Sequence, residues 1–330
     1  MISLESFSNK KTKFVFDTYF LGLSFKERIR FLMIFYPKYS PVRYLIFILN
    51  LVLQFFPLLF SIKFKKISEI ILSNLNLDSS GKYLFLFHKL STSGKIYIYK
   101  FNKNNQLEFF IKFNTNAAFH KKLEHEKNVL EKIKEKDVFF NIPEIIKFGF
   151  EKNFSFIIYR ALEESYILFD KKKLYPAEII ESVRSLNVFE CYDRVFDLKD
   201  LIETKNIVRN KELKKLLGEI NFSLSMDAYS AHCDLGSENT FLKIDPKQKK
   251  YTLVDWEDFC DVAPMGVDEV SLWLGKNHRH LKSFFIPKKR KKVEEFINYF
   301  SKNKIGLKNA IISLLFLAKK KNDLAEIIIK

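Results

Sequence analysis

The chain has 330 residues, 47% of them apolar, and its 56 Lys and Arg outnumber 39 Asp and Glu to give a formal net charge of +17. That length and apolar content allow two lobes with a substantial core plus an extension. Its three cysteines, Cys191, Cys233 and Cys260, show no paired metal-ligand spacing, which excludes a disulfide framework and a zinc site and points to a reducing cytosol.

In chain order, the first notable segment runs from Tyr44 to Ile62 without a charge, flanked by Arg43 and by Lys63, Lys65 and Lys66. Its length permits a transmembrane helix, although Asn50, Gln54 and Pro57 weaken one. The first residues are polar and the apolar stretch begins late, so no cleavable signal peptide is expected.

Three strands follow, Lys82 to Leu90, Lys95 to Phe101 and Gln106 to Phe113, separated by the turn-like tracts Ser91-Thr92-Ser93-Gly94 and Asn102-Lys103-Asn104-Asn105. This reads as an antiparallel meander. A helix then opens near Asn114 to Asn116, with an apolar stripe Phe119, Leu123, Leu130, Ile133. Glu126 falls on that stripe, whereas Glu124 and Glu131 point away from it. A carboxylate on the packed face of a helix is costly without a cation, and Lys112 on the third strand is the obvious partner. After Ile142-Pro143, the tracts Ile145 to Gly149 and Phe154 to Tyr159 read as two further strands. Helices are expected over Lys172 to Asn187, Lys211 to Ser225, Lys291 to Ser301 and Leu307 to Lys319.

The most informative stretch is His232-Cys233-Asp234-Leu235-Gly236-Ser237-Glu238-Asn239, with Val254-Asp255-Trp256-Glu257 downstream. Between them lie an apolar run, a turn opened by Asp245-Pro246, and a second run from Tyr251 to Val254. Such a β-hairpin folds Asp255 back beside Asn239. One general base and two hard oxygen ligands then converge, which is the equipment for moving a phosphoryl group from Mg-ATP to a hydroxyl.

The pattern H-x-D-L-x-x-x-N followed by V-D-W-E resembles the aminoglycoside phosphotransferase and choline kinase superfamily, relatives of the protein kinases. The resemblance covers roughly residues 80 to 275 and implies an α+β, two-lobed protein kinase-like fold. A small antiparallel sheet lobe over 79–160 would bind nucleotide, and a helical catalytic and substrate lobe over 161–330 would follow an N-terminal helical extension over 1–78. It implies ATP and Mg2+ as cofactors, Asp234 as the base for the acceptor hydroxyl, and His232 as a brace of the catalytic loop. Asn239 and Asp255 would hold the metal, and Lys112 paired with Glu126 the phosphates. Ser93 and Gly94 would cover the phosphates, and the backbone of Tyr159, Ala161 and Leu162 would line the adenine edge at a hinge. Asp268 matches a structural Asp of the family. Three departures stand out: Ser237-Glu238 replaces a Pro-Gly-like pair, the phosphate-covering loop has one glycine, and Phe110 stands where a smaller residue underlies the adenine.

If ATP is used, the domain after residue 80 is cytoplasmic, and a simple span at 44–62 would export eight basic residues between Lys10 and Arg43 against the positive-inside rule. An in-plane anchor on the inner face of the plasma membrane and a helical hairpin packed on the kinase lobe both fit. The positive charge favours anionic partners such as lipid or phosphorylated glycans and disfavours polycationic aminoglycosides at long range, unless Glu163, Glu164 and Asp170 form an acidic pocket. Nucleic acid is disfavoured because the aromatics adjoin apolar residues rather than interleave with Lys and Arg. The expected activity is O-phosphotransfer to a small molecule, sugar or glycan precursor. The competing reading is a catalytically idle kinase fold that scaffolds at a membrane. Protein-serine kinase activity is disfavoured, since no A-P-E-like element follows Asp255.

Overall fold

A computed structural model of the chain describes residues 18–23, 57–88, 94–151, 153–162, 166–170, 173–192, 194–243, 250–277 and 290–321. It divides into two compact units, Met1–Lys127 with Pro143–Glu164, and Asn128–Ile142 with Ser165–Lys330. The class is α+β.

The first unit is built on a six-stranded antiparallel sheet. Its strands are β1 (Thr18–Leu21), β2 (Lys82–His88), β3 (Lys95–Phe101), β4 (Leu107–Asn114), β5 (Ile145–Glu151) and β6 (Phe154–Arg160), in the order β1-β2-β3-β4-β6-β5. Alternation along the strands sorts their side chains onto two faces. One face carries Ile96, Ile98, Ile111, Phe113, Phe156 and Ile158, which join Tyr83, Phe85 and Phe87 of β2 in one buried cluster. Helix α1 (Pro57–Asn74) closes that cluster with Ile67, Ile71, Leu72 and, just beyond its end, Leu75. The apolar stretch from Tyr44 to Phe56 lies outside the described residues. Among the described residues no helix is long and apolar enough to cross a membrane.

The opposite face of the sheet carries Tyr97, Tyr99, Phe110, Lys112 and Tyr159. Phe110 stacks between its neighbours, with ring centroids 5.8 Å from Tyr97, 5.1 Å from Tyr99 and 6.1 Å from Tyr159. Residues Thr18–Leu21, which carried no strand signal, pair with β2 from Thr18↔Leu86 to Leu21↔Tyr83. Helix α2 (Ala117–Ile133) follows β4 as expected.

In the second unit, β7 (Tyr166–Leu168), β10 (Thr240–Lys243) and β11 (Lys250–Leu253) form one three-stranded sheet, in the order β11-β10-β7. β8 (Val195–Asp197), β9 (Ser225–Ala231) and β12 (Cys260–Pro264) form another, in the order β12-β9-β8. Helices α3 (Ala177–Ser185), α4 (Ile202–Asn206), α5 (Lys211–Gly218), α6 (Val267–Lys276), α7 (Arg290–Phe300) and α8 (Gly306–Lys320) supply most of the core. In α8 every residue from Ala310 to Ala318 is buried. The helix expected over Lys211 to Ser225 ends at Gly218 instead. The Asn221 side chain accepts from the Ser223 backbone and hydroxyl and turns the chain, and Ser225 then opens β9.

Candidate active site

In the first unit, the stripe glutamate and the strand lysine meet. Lys112 Nζ donates to both carboxylate oxygens of Glu126, at 2.9 and 2.8 Å. Glu126 is 0% exposed and Lys112 7%, so the pair is held out of water. Its geometry comes from two rigid elements: β4 sets the lysine on the aromatic face of the sheet, and α2 sets the glutamate. The ammonium and the burial bear on Tyr99 as well, where desolvation outweighs the pull of Lys112 and pushes the phenol up to about 12.

Gly94 ties the start of β3 to the β4–α2 junction. Its carbonyl accepts from Thr115 N at 3.1 Å, its φ is +63°, and a Cβ there would stand 2.7 Å from Thr115 Oγ1 and 3.0 Å from Asn116 N. Only a glycine accommodates both conditions without movement. Ser93 lies outside the described residues. Tyr159 is buried at the end of the Phe110 ring stack. The Ala161 N–H donates to the Glu108 carbonyl at 3.1 Å, and Leu162 is half-buried beside it. Glu163 and Glu164 lie outside the described residues; Asp170 is exposed.

In the second unit, the motif forms one hydrogen-bonded loop. His232 is wholly buried, 4.6 Å from the Trp256 ring, and its Nε2–H donates to the Val254 carbonyl at 3.1 Å. Burial holds its pKa below the usual imidazole value despite the nearby Asp234 and Asp255 charges, so the ring is neutral and its buried Nδ1 accepts no hydrogen bond. His232 is thus packed between the Asp234 loop and Val254.

Asp268, in the first turn of α6, pins the same loop from beneath. Its two oxygens accept from His232 N at 3.0 Å and Cys233 N at 2.9 Å. Full burial pushes its carboxyl up to about 7, against those two donors, which pull it down. These bonds hold Cys233 at φ +66°, an uncommon conformation for a non-glycine residue. The Cys233 thiol is also buried and pushed well above its ordinary value by desolvation, so it is an inert packing group.

Asp234 and Asn239 are locked together. Asn239 Nδ2 donates to the Asp234 carbonyl at 2.8 Å and to its Oδ2 at 3.0 Å. Both partners only accept, so the amide orientation is forced and Oδ1 is the end turned away from Asp234. The Asn239 carbonyl accepts from Val254 N at 3.0 Å, which brings the end of the hairpin against the loop. The next residue, Asp255, sits in the left-handed region at φ 67°, ψ 59°. The site thus offers an amide oxygen and a carboxylate, hard oxygen donors suited to Mg2+ and unsuited to a soft metal. Glu257 and Asp258 add further negative charge to the turn after Asp255.

One site residue carried no signal in the sequence. Lys321, just past the last turn of α8, forms an ion pair with Asp234, its Nζ on Oδ1. Burial works against the ammonium, but the Asp234 charge and hydrogen bond prevail and hold its pKa above the usual lysine value. A Lys319-Lys320-Lys321 run at a helix end reads as a solvated basic tail, and only the path of the chain reveals otherwise.

No family model matches the chain. No curated protein matches it either. Among solved structures, similarity is found to the ADP-bound aminoglycoside phosphotransferase APH(2'')-Ib, at 14% identity over 76% of this chain and 97% of that one, with a TM-score of 0.42. The streptomycin–ATP ternary complex of APH(2'')-IIa is similar at 10% identity over 80% of this chain and 95% of that one, with a TM-score of 0.45. A Haemophilus somnus protein described as a fructosamine-3-kinase is similar at 14% identity over 77% and 96% of the two chains, with a TM-score of 0.35.

Proposed function

We propose that this chain is an ATP- and Mg-dependent O-phosphotransferase acting on a hydroxyl of a small molecule, sugar or glycan precursor. In this reading residues 79–160 form the nucleotide-binding lobe and 161–330 the catalytic and acceptor lobe. The observation that carries it is the hydrogen-bonded unit Asp234–Asn239–Val254, followed by Asp255 in a left-handed conformation. Backbone strain of about 1–3 kcal/mol persists only where the surroundings enforce it, and here it falls on a charged residue beside a carboxamide and a second carboxylate.

The roles follow from the chemistry of each group. Asp234 accepts the proton of the acceptor hydroxyl as its oxygen bonds to the γ-phosphorus and the bond to the ADP oxygen breaks. Asn239 and Asp255 would hold Mg2+, which when bound neutralises charge on the phosphate oxygens. Lys112, steadied by Glu126, binds the α and β phosphates, which Ser93 and Gly94 would cover. Backbone groups near Ala161 and Leu162 meet the adenine edge. His232 and Asp268 hold the Asp234 loop in shape without exchanging protons with substrate. The net charge of +17 favours neutral or anionic acceptors over polycations.

The test is Mg-ATP turnover across an acceptor panel of choline, aminoglycosides, hexoses and lipid-linked sugars, with Asp234→Ala alongside. We expect transfer by the wild type, loss of transfer in Asp234→Ala, and retained Mg-ADP binding in both. Nucleotide binding without turnover on any acceptor, or with water, would instead favour a binding or scaffolding module.

A further inference from the structure

We infer that Lys321 is a positioning residue for Asp234, supplied by the C-terminal end of α8; this rests on the reading of Asp234 as the base. The Asp234 carboxylate is gripped from both sides, with Asn239 Nδ2 on Oδ2 at 3.0 Å and Lys321 Nζ on Oδ1. Two donors on two oxygens fix the plane of the group. Each carboxylate oxygen has a second lone pair, so both bonds leave Asp234 able to accept from an incoming hydroxyl.

The lysine is delivered by a rigid element. α8 is buried continuously from Ala310 to Ala318, and Lys321 N bonds Leu317 O at 3.0 Å, so the helical path extends to the lysine itself. The two residues before it are fastened as well. Lys319 Nζ donates to the Asp200 carbonyl at 2.7 Å and Lys320 Nζ to the Phe259 carbonyl at 3.4 Å. The end of α8 therefore reaches three places, the Asp200 carbonyl, the residue that closes the turn after Asp255, and the Asp234 loop. Cations also suit the negative end of the helix dipole.

The pair is part-buried. The Lys321 side chain is 26% exposed and that of Asp234 39%, in a region that also holds Asp255, Glu257 and Asp258. Without the ammonium, the Asp234 carboxylate would be free to rotate on its bond to Asn239. With it, the base is held in one rotamer and its charge is balanced before substrate arrives. That is preorganisation of a reacting group by a neighbour that does not itself react.

The experiment uses the full chain with Mg-ATP, measuring ADP formation with water and with any acceptor found in the panel, Mg-ADP affinity, and thermal stability. Lys321→Met is expected to lower kcat by about tenfold to a hundredfold, the worth of one charge-assisted hydrogen bond, with KM for ATP and Mg-ADP affinity within about twofold. Lys321→Arg should recover part of the loss, because it keeps the cation and the donor. Lys320→Met removes a neighbouring anchor of the same helix end without touching Asp234, and is expected to leave kcat within about twofold of wild type. Full activity in Lys321→Met, an equal loss in Lys320→Met, or a loss confined to KM would overturn the inference. A wild type that neither binds Mg-ADP nor forms ADP would remove the enzyme reading itself, before any substitution is compared, and this inference with it.

Discussion

Replacing Lys112 with methionine leaves Glu126, which is 0% exposed, without the ammonium that donates to both its oxygens at 2.9 and 2.8 Å. Removing one partner of a buried ion pair costs about 3–5 kcal/mol, since a desolvated charge is left behind. For a unit of this size each kcal/mol shifts Tm by about 2–4 °C, so Lys112→Met should unfold about 6–20 °C lower than wild type. Removing both charges is different. Lys112→Met with Glu126→Leu swaps the pair for apolar groups of similar bulk, which is often neutral or stabilising, so the double variant should recover to within about 1–2 kcal/mol of wild type. Thermal unfolding followed by circular dichroism at neutral pH, without nucleotide, measures both. A single variant within about 2 °C of wild type, or a double variant no more stable than the single, would refute the reasoning. The rescued double variant is also expected to have lost Mg-ADP binding, which separates the pair's role in architecture from its proposed role in holding phosphate.

Asp268 makes a pH-dependent prediction. Its carboxyl is raised from 3.8 to about 7 by burial, so its contribution to stability is fully present below the unfolded value and is lost as pH rises toward 7. Asp268→Asn lacks that group. The stability of wild type minus that of the variant should therefore fall by about 4 kcal/mol between pH 4 and 7 and stay level above about pH 8, as read from Tm against pH. A difference that is flat from pH 4 to 8 would show that the two backbone donors keep Asp268 ionised. Gly94→Ala forces a Cβ to 2.7 Å from Thr115 Oγ1 at a φ of +63°, and should cost about 1–2 kcal/mol in urea denaturation; an unchanged midpoint would mean that the β3 entry relaxes freely.

Local pattern alone determined much of this molecule. The strand meander, the antiparallel pair Thr240–Lys243 with Lys250–Leu253 and the α2 stripe are periodic signals, and periodicity follows from burying one face of each element. Glu126 was legible because a carboxylate on an apolar stripe demands a cation, and Lys112 because a strand of that register turns it to the same side. The sequence also brought Asp255 back to Asn239, since a hairpin makes its two ends neighbours. Other features have no local cause. Thr18–Leu21 becomes a strand only because β2 offers it an open edge, and β9 is a strand because β8 and β12 pair with it on both sides. The left-handed turn at Cys233 is a strained conformation for that residue, and at Cys233 and Asp255 the neighbouring N–H groups are held by the Asp268 carboxylate and the Asn239 carbonyl. Lys321 lies 87 positions from Asp234, and only the packing of a buried helix brings it there. Spacing encodes what adjacent residues share, whereas a contact between distant segments is settled when the core closes around them.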